Sequence, residues 1–181
     1  MSFSLSLNKF DTLIFDGINL DTVLFDGTVV WEGLPNILSL IDFTYKVKAN
    51  VAYVTGWKGT YNGVSSTVCY IPEDNKYPID ITKFNFRKYV NITNVYISNN
   101  TVISSDFNSR FYNMPNLKYS TIPYEKITNM AYTYQNCSNL TGSPVCGENV
   151  TSMYMTYYNC YNLTGSPVCG ENVTKMESSY S

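Results

Sequence analysis

Histidine is absent from this 181-residue chain, and with it go the commonest general base of enzyme active sites and the commonest metal ligand. Charge is scarce as well: Asp, Glu, Lys and Arg supply 14% of the residues, and the net charge is −2. Without a basic stripe to displace counterions from phosphates, nucleic acid is not an expected partner. Apolar runs such as Thr28-Val29-Val30-Trp31 fall far short of the roughly 20 residues that a membrane-spanning helix needs, so no membrane span is expected. The opening MSFSLSLNKFDTLIFDG lacks a cationic start, an apolar stretch and a small-residue cleavage site; it does not read as a secretory leader, and the chain is expected to begin at Met1.

What is abundant is tyrosine, 17 residues of it, alongside many asparagines. Both suit recognition surfaces, but an AT-rich genome raises Tyr, Asn and Ile together, so composition does not decide between the two. The order of the residues is more informative. Residues 127–149 read ITNMAYTYQNCSNLTGSPVCGEN, residues 150–172 read VTSMYMTYYNCYNLTGSPVCGEN, and VTKMESSYS opens a third copy. Upstream, residues 104–126 hold the frame through Phe107, Met114, Leu117, Ile122 and Pro123. Residues 81–103 hold it through Ile81 and Phe84, with Val95 and Ile97 slipped by about a residue. A tandem repeat of this length predicts stacked units that cover one another's apolar faces, since one unit alone buries too little to offset its backbone entropy.

The positions that stay apolar across copies are Ile127/Val150/Val173, Met130/Met153/Met176, Tyr134/Tyr157/Tyr180, Cys137/Cys160, Leu140/Leu163 and Val145/Val168. They are expected to point inward as ladders about 4.8 Å apart. Asn136/Asn159 and Asn139/Asn162 flank the inner cysteines, where their amides suit turns or ladders. Gly and Pro within LTGSPV require any strand there to be short. The expected fold is therefore mainly β: a β meander at the N-terminus, then a leucine-rich-repeat-like solenoid of 23-residue units.

Three segments follow. Residues 1–50 read as a β-rich anchoring segment in which DTLIFDG is echoed by DTVLFDG, each Asp-Gly favouring a tight hairpin turn, so that a three-stranded meander is expected. Residues 51–80 read as a cap built on a short antiparallel strand pair, and residues 81–181 as the solenoid. Because Val173, Met176 and Tyr180 begin a further unit, the solenoid is expected to continue beyond Ser181.

The pattern V-T-x-M-x-x-T-Y-x-N-C-x-N-L-T-G, as in residues 150–165, resembles the BspA-like leucine-rich repeats of bacterial surface proteins, over residues 81–181. VTGWKGTYNGVSSTVCYIP is similar to the lead-in of that family, although Val145-Cys146 and Val168-Cys169 depart from its Ile-Pro strand ending, which Ile122-Pro123 keeps. FDGINLDTVLFDGTVVW, residues 15–31, is similar to the openings of minor structural proteins of bacteriophage tails and virions. Together the resemblances imply a virion protein, a tail or head fibre, reaching the outside by assembly. Residues 1–50 would bind other virion proteins, and the solenoid a host-surface glycan or protein. A bacterial cell-surface adhesin and a purely structural virion spacer are the alternatives, and a homo-oligomer is expected.

No catalytic residue, cofactor or metal is expected. Cys137, Cys146, Cys160 and Cys169 recur with the repeat, and an active site is rarely duplicated in tandem; with Cys69 they total five, without the clustered pairs of a zinc site. Asp11, Asp16, Asp21 and Asp26 sit beside turns, lacking the Gly and bidentate Glu of a calcium loop at their offsets. The Asn-x-Ser/Thr strings arise from the repeat itself. The candidate binding face comprises Tyr119, Thr121, Thr141, Pro144, Thr164 and Pro167 on the strands, with Tyr132, Tyr154, Tyr158 and Tyr161 on the flank. Tyr offers large, rigid contact area at low entropic cost.

Overall fold

The computed structural model describes residues 40–74, 76–142, 145–165 and 169–178, together with the backbone of four strands within residues 13–32. The chain divides into two compact units, residues 1–38 and 39–181. In the first, β1 (Leu13–Phe15) pairs antiparallel with β2 (Ile18–Leu20), and β3 (Thr22–Phe25) with β4 (Thr28–Glu32). Phe15 faces Ile18 and Phe25 faces Thr28 at the ends of the two pairs. The three-stranded meander expected here is corrected to two separate two-stranded hairpins.

The second unit opens with an antiparallel pair, β5 (Phe43–Lys48) and β6 (Val51–Trp57). Its turn is Ala49-Asn50, both at positive φ (49° and 60°), the backbone a two-residue hairpin loop demands. β6 thus takes its antiparallel partner from upstream of the residues read as the cap, and pairs in parallel with β10 (Ile79–Asp80) on its other edge. A small hairpin, β7 (Thr60–Tyr61) and β8 (Val64–Ser65), turns on Asn62-Gly63. The buried Asp42 carboxylate fixes that turn, accepting from the Thr60 hydroxyl (2.7 Å), Asn62 N–H (2.7 Å) and Gly63 N–H (2.8 Å). Burial would raise its pKa, but these donors, with Lys58 nearby, outweigh it and hold the carboxyl below its usual range.

From here the chain runs in stacked, parallel units. β9 (Val68–Ile71), β11 (Asn94–Ile97) and β12 (Tyr119–Thr121) form one parallel sheet, ordered β12-β11-β9. Each strand alternates: Cys69, Ile71, Val95 and Ile97 are buried, while Tyr70 and Tyr119 face outward. Parallel strands require a long crossover. The 3-10 turn at Phe86–Lys88 lies in the connection from β9 to β11, and a second, at Tyr124–Lys126, follows β12. On another side of the stack, parallel bridges join Asp106 to Asn129, Asn129 to Ser152 and Ser152 to Lys175, each step being one repeat length of 23 residues.

Between bridges the chain makes tight turns rather than helix. Tyr132 and Asn136 (φ 58° and 63°), Met155 and Asn159 (51° and 62°), and Ser109 and Asn113 (56° and 58°) occupy matching left-handed positions. This zigzag leaves alternate N–H groups aimed at the next unit: Met130, Tyr132, Tyr134 and Asn136 donate to the carbonyls of Ser152, Tyr154, Thr156 and Tyr158 at 2.9 Å each. Side chains add rungs in the same register. Thr128, Thr151 and Thr174 hydroxyls reach Ser105, Thr128 and Thr151 carbonyls, while Asn139 and Asn162 amides reach those of Pro115 and Ser138. The Asn136 amide donates to Asn113 Oδ1 (2.6 Å), and the Asn159 amide to Asn136 Oδ1 (2.8 Å).

The core is a set of columns running along the stack. Ile127, Val150, Met130, Met153, Tyr134, Tyr157, Cys137, Cys160 and Leu140 are all buried, each large aliphatic side chain contributing about 1.5–3 kcal/mol. The Tyr134 and Tyr157 rings stack at 5.2 Å and 4°. Cys137 and Cys160 thiols donate to Phe111 and Tyr134 carbonyls, both at 3.0 Å. Four inward assignments are corrected: Val145, which follows Gly142 at a strand-breaking φ of +89°, and Met176, in the last described unit, are each 44% exposed, and Leu163 and Val173 are half-buried. Val168 and Tyr180 lie outside the described residues. No helix among the described residues is long and apolar enough to cross a membrane.

Candidate functional site

Strand register aligns the outward side chains of the parallel sheet. Tyr96 pairs with Tyr70 on one side and Thr121 on the other, and Asn94 pairs with Tyr119. Four rings consequently run across the sheet from the β7–β8 hairpin: Tyr61 to Tyr70 at 6.0 Å, Tyr70 to Tyr96 at 6.3 Å and Tyr96 to Tyr119 at 5.7 Å. The contacts are edge-on or tilted, geometries that aromatic quadrupoles favour. Tyr61, Tyr70 and Tyr119 are each more than two-fifths exposed. Thr121, Thr141 and Thr164 continue the exposed surface beyond Tyr119.

The sheet does not continue with equal regularity past β12. Thr141 N–H still donates to the Lys118 carbonyl (3.0 Å) and Thr164 N–H to that of Gly142 (2.9 Å), but among the described residues only a single bridge, Gly142 to Leu163, follows. Gly142 and Gly165 sit at φ +89° and +87°, where non-glycine residues are strained. Among the described residues the ladder is thereby interrupted at these glycines, and a cleft of about 390 Å³ lies beside Gly142. Tyr119, Thr121, Thr141 and Leu163 are among its lining residues, together with Ser120, Tyr124, Tyr134 and Tyr157.

A hydroxyl network runs through the cleft. Ser120 Oγ lies 2.8 Å from the Tyr134 hydroxyl, which is 3.3 Å from that of Tyr124. Burial, then the neighbouring phenols, pushes the Tyr134 pKa well above its ordinary value, and burial likewise raises Tyr124. These hydroxyls therefore remain protonated donors and acceptors. Tyr157 Oη accepts from Val145 N–H (3.1 Å) and donates to Val145 O (2.7 Å), pinning the chain on the far side of the Gly-Ser-Pro run.

The flank is a second, separate cluster. Tyr132 and Tyr154 meet edge-to-face at 5.2 Å and are half-buried, as is Tyr158. Tyr161 is 69% exposed, its hydroxyl donating to Asn159 Oδ1 at 2.8 Å. Of the candidate binding residues, then, Tyr119, Thr121 and Thr141 share the cleft, whereas Tyr132, Tyr154, Tyr158 and Tyr161 do not line it. Pro144 and Pro167 lie outside the described residues. Tyr61, Tyr70 and Tyr96 were not singled out in the sequence. The signal was there in Cys69-Tyr70-Ile71 and Val95-Tyr96-Ile97, but these pair 26 residues apart rather than 23.

Among the described residues, no group of three His, Cys, Asp or Glu side chains is placed to hold a metal ion. The cysteines are free thiols. Burial pushes Cys160 up to about 12 and Cys146 to about 11, the opposite of what a nucleophile requires.

No family model matches the chain, and no curated protein matches it. Among solved structures it is similar to a leucine rich cell surface protein from Faecalibacterium prausnitzii A2-165, with a TM-score of 0.47 and 20% identity over 78% of this chain and 45% of that one. The chain thus spans less than half the length of that protein.

Proposed function

We propose that this chain is a non-enzymatic recognition protein displayed at a surface, whose units form a continuous leucine-rich-repeat-like solenoid and whose tyrosine-bearing strand face binds an extended surface glycan or protein. The observation that carries the reading is the row Tyr61-Tyr70-Tyr96-Tyr119, with ring-to-ring steps of 5.7–6.3 Å. A core position would bury these rings, yet three of them keep more than two-fifths of their surface in water. Exposed aromatic rows of this kind supply binding energy at little entropic cost. The raised thiol pKa values and the absence of histidine favour binding over catalysis.

The setting we propose is the bacteriophage virion, with residues 1–50 docking to other virion proteins, on the strength of the resemblance carried by residues 15–31. Mass spectrometry of purified particles tests the setting: recovery in the host envelope and not in particles would make the protein a cellular adhesin instead. Flow cytometry of bacteria labelled with the fluorescent chain tests recognition. Wild type should label the cells and a Tyr70→Ala/Tyr96→Ala/Tyr119→Ala variant should not; equal labelling by both would end the proposal.

A further inference from the structure

We propose that the cleft beside β12 is a subsite for one ring of a neutral saccharide, so that the partner of the tyrosine face is a neutral glycan rather than a protein. The inference deepens the recognition reading and rests on it.

Four features of the cleft define its ligand. Its volume of about 390 Å³ lies at the small end of ligand pockets, enough for a small polar ring. Among the described residues, none that lines it is Asp, Glu, Lys or Arg, so a charged ligand would lose hydration there without gaining an opposite charge. The lining mixes apolar residues, Leu140, Val145 and Leu163, with hydroxyl-bearing ones, Ser120, Thr121, Thr141, Tyr119, Tyr124, Tyr134 and Tyr157. That combination matches the two faces of a pyranose, whose C–H groups pack on aromatic and aliphatic carbon while its equatorial hydroxyls exchange hydrogen bonds with side chains of the same kind.

The fourth feature is position. Tyr119 belongs both to the cleft and to the row of rings, 5.7 Å from Tyr96. A glycan with one ring seated in the cleft therefore extends over Tyr96 and Tyr70, in steps close to the length of one sugar residue. A peptide cannot add a strand along the centre of this surface, because the β11 backbone at Asn94 and Tyr96 is already paired on both edges, with β9 and with β12. The subsite also has a built-in rigidity. Tyr157 ties Val145 by both N–H and C=O, and the Ser120–Tyr134–Tyr124 hydroxyl chain fixes donors before any ligand arrives.

The test is retention of the purified full chain on an array of neutral gluco-, manno-, galacto- and N-acetylhexosamine oligosaccharides, with heparin and polysialic acid as charged controls. At least one neutral class should be retained and neither control. Tyr119→Ala should weaken retention by about tenfold or more, Tyr119→Phe should keep most of it, and Thr121→Trp, which fills the exposed mouth without touching Tyr134, should abolish it. Unchanged thermal unfolding of each variant shows that the fold survives. A blank neutral array, or Thr121→Trp binding as wild type does, overturns the proposal. If the array is blank while the chain still labels cells in a Tyr70-dependent manner, the saccharide inference falls and recognition stands; if labelling also fails, both fall.

Discussion

Asn136 carries two distinct burdens that substitution separates. Its side chain is the middle rung of the Asn113–Asn136–Asn159 ladder, donating at 2.6 Å and accepting at 2.8 Å, and its backbone sits at φ +63°. Asn136→Ala removes both rungs, each contributing about 0.5–1.5 kcal/mol net. It also places a Cβ in the left-handed region without a side chain able to bond locally, at a cost of about 1 kcal/mol. The total is about 2–4 kcal/mol. Asn136→Gly loses the same rungs but adopts this φ without strain, so it should be less destabilised than Ala by up to about 1 kcal/mol. Asn113→Gly removes one rung and should lie above both. Urea denaturation followed by circular dichroism measures all three, with unchanged m-values expected because the exposed surface is the same. If the Ala and Gly variants unfold at one midpoint, the conformational part of the reasoning is wrong. If both match wild type, the ladder contributes nothing.

Asp42, two glycines and the buried cysteines supply further expected outcomes. Asp42→Ala leaves the Thr60 hydroxyl and the Asn62 and Gly63 N–H groups without their acceptor and should cost about 2–4 kcal/mol, read as a lowered urea midpoint. Because the Asp42 pKa is depressed in the fold, its contribution is present above the ordinary carboxylate range and declines as pH falls through the folded value; D42N should flatten that acid limb. A Cβ at Gly147 would collide with the Tyr124 carbonyl oxygen, whereas one at Gly170 would meet Glu148 Cα and O at 3.1 Å. Gly147→Ala should therefore destabilise by about 1–3 kcal/mol and Gly170→Ala by less, in thermal melts of matched variants. Cysteines 137 and 160 are buried with raised pKa values, so stability should be full below the ordinary thiol range and fall as pH rises above about 9. Iodoacetamide mapping at pH 8 should modify half-buried Cys169 before Cys69, Cys137 and Cys160, and the reverse order would contradict the burial described.

The inward columns were legible because stacking imposes the same environment on every copy: Ile127 and Val150, Met130 and Met153, and Cys137 and Cys160 repeat for a packing reason and are buried together. What escaped was the backbone between them. Asn113, Asn136 and Asn159 tolerate a left-handed φ, but Tyr132 and Met155 occupy the same region without a sequence signal, held there by N–H bonds to the next unit. Tertiary hydrogen bonding has overridden local preference. Val145 was misread for the opposite reason, since an apolar residue in frame follows Gly142 and the interrupted ladder rather than a continuing strand. The tyrosine row was partly missed because its upstream strands pair at 26 and 25 residues, so a 23-residue frame places Tyr70 and Tyr96 out of phase with Tyr119.

The side-chain rungs between units also have a direction. Thr133 and Thr156 hydroxyls, Cys137 and Cys160 thiols, and the amides of Asn136, Asn139, Asn149, Asn159, Asn162 and Asn172 all donate toward the preceding unit, the weak contact of Gln135 with Met155 Sδ running the other way. The side-chain rungs are therefore vectorial, and the backbone runs against them: a unit's Thr, Cys and Asn side chains find acceptors in its predecessor, while its alternate N–H groups, as at Met130, Tyr132, Tyr134 and Asn136, find theirs in its successor. Loss of a unit from the C-terminal side leaves the preceding unit's alternate backbone N–H groups without their acceptors, along with the carbonyls that had received side-chain donors. Loss from the N-terminal side strands the Thr, Cys and Asn side-chain donors of the exposed successor, so removal from opposite ends uncovers different groups: backbone amides at one, side chains at the other.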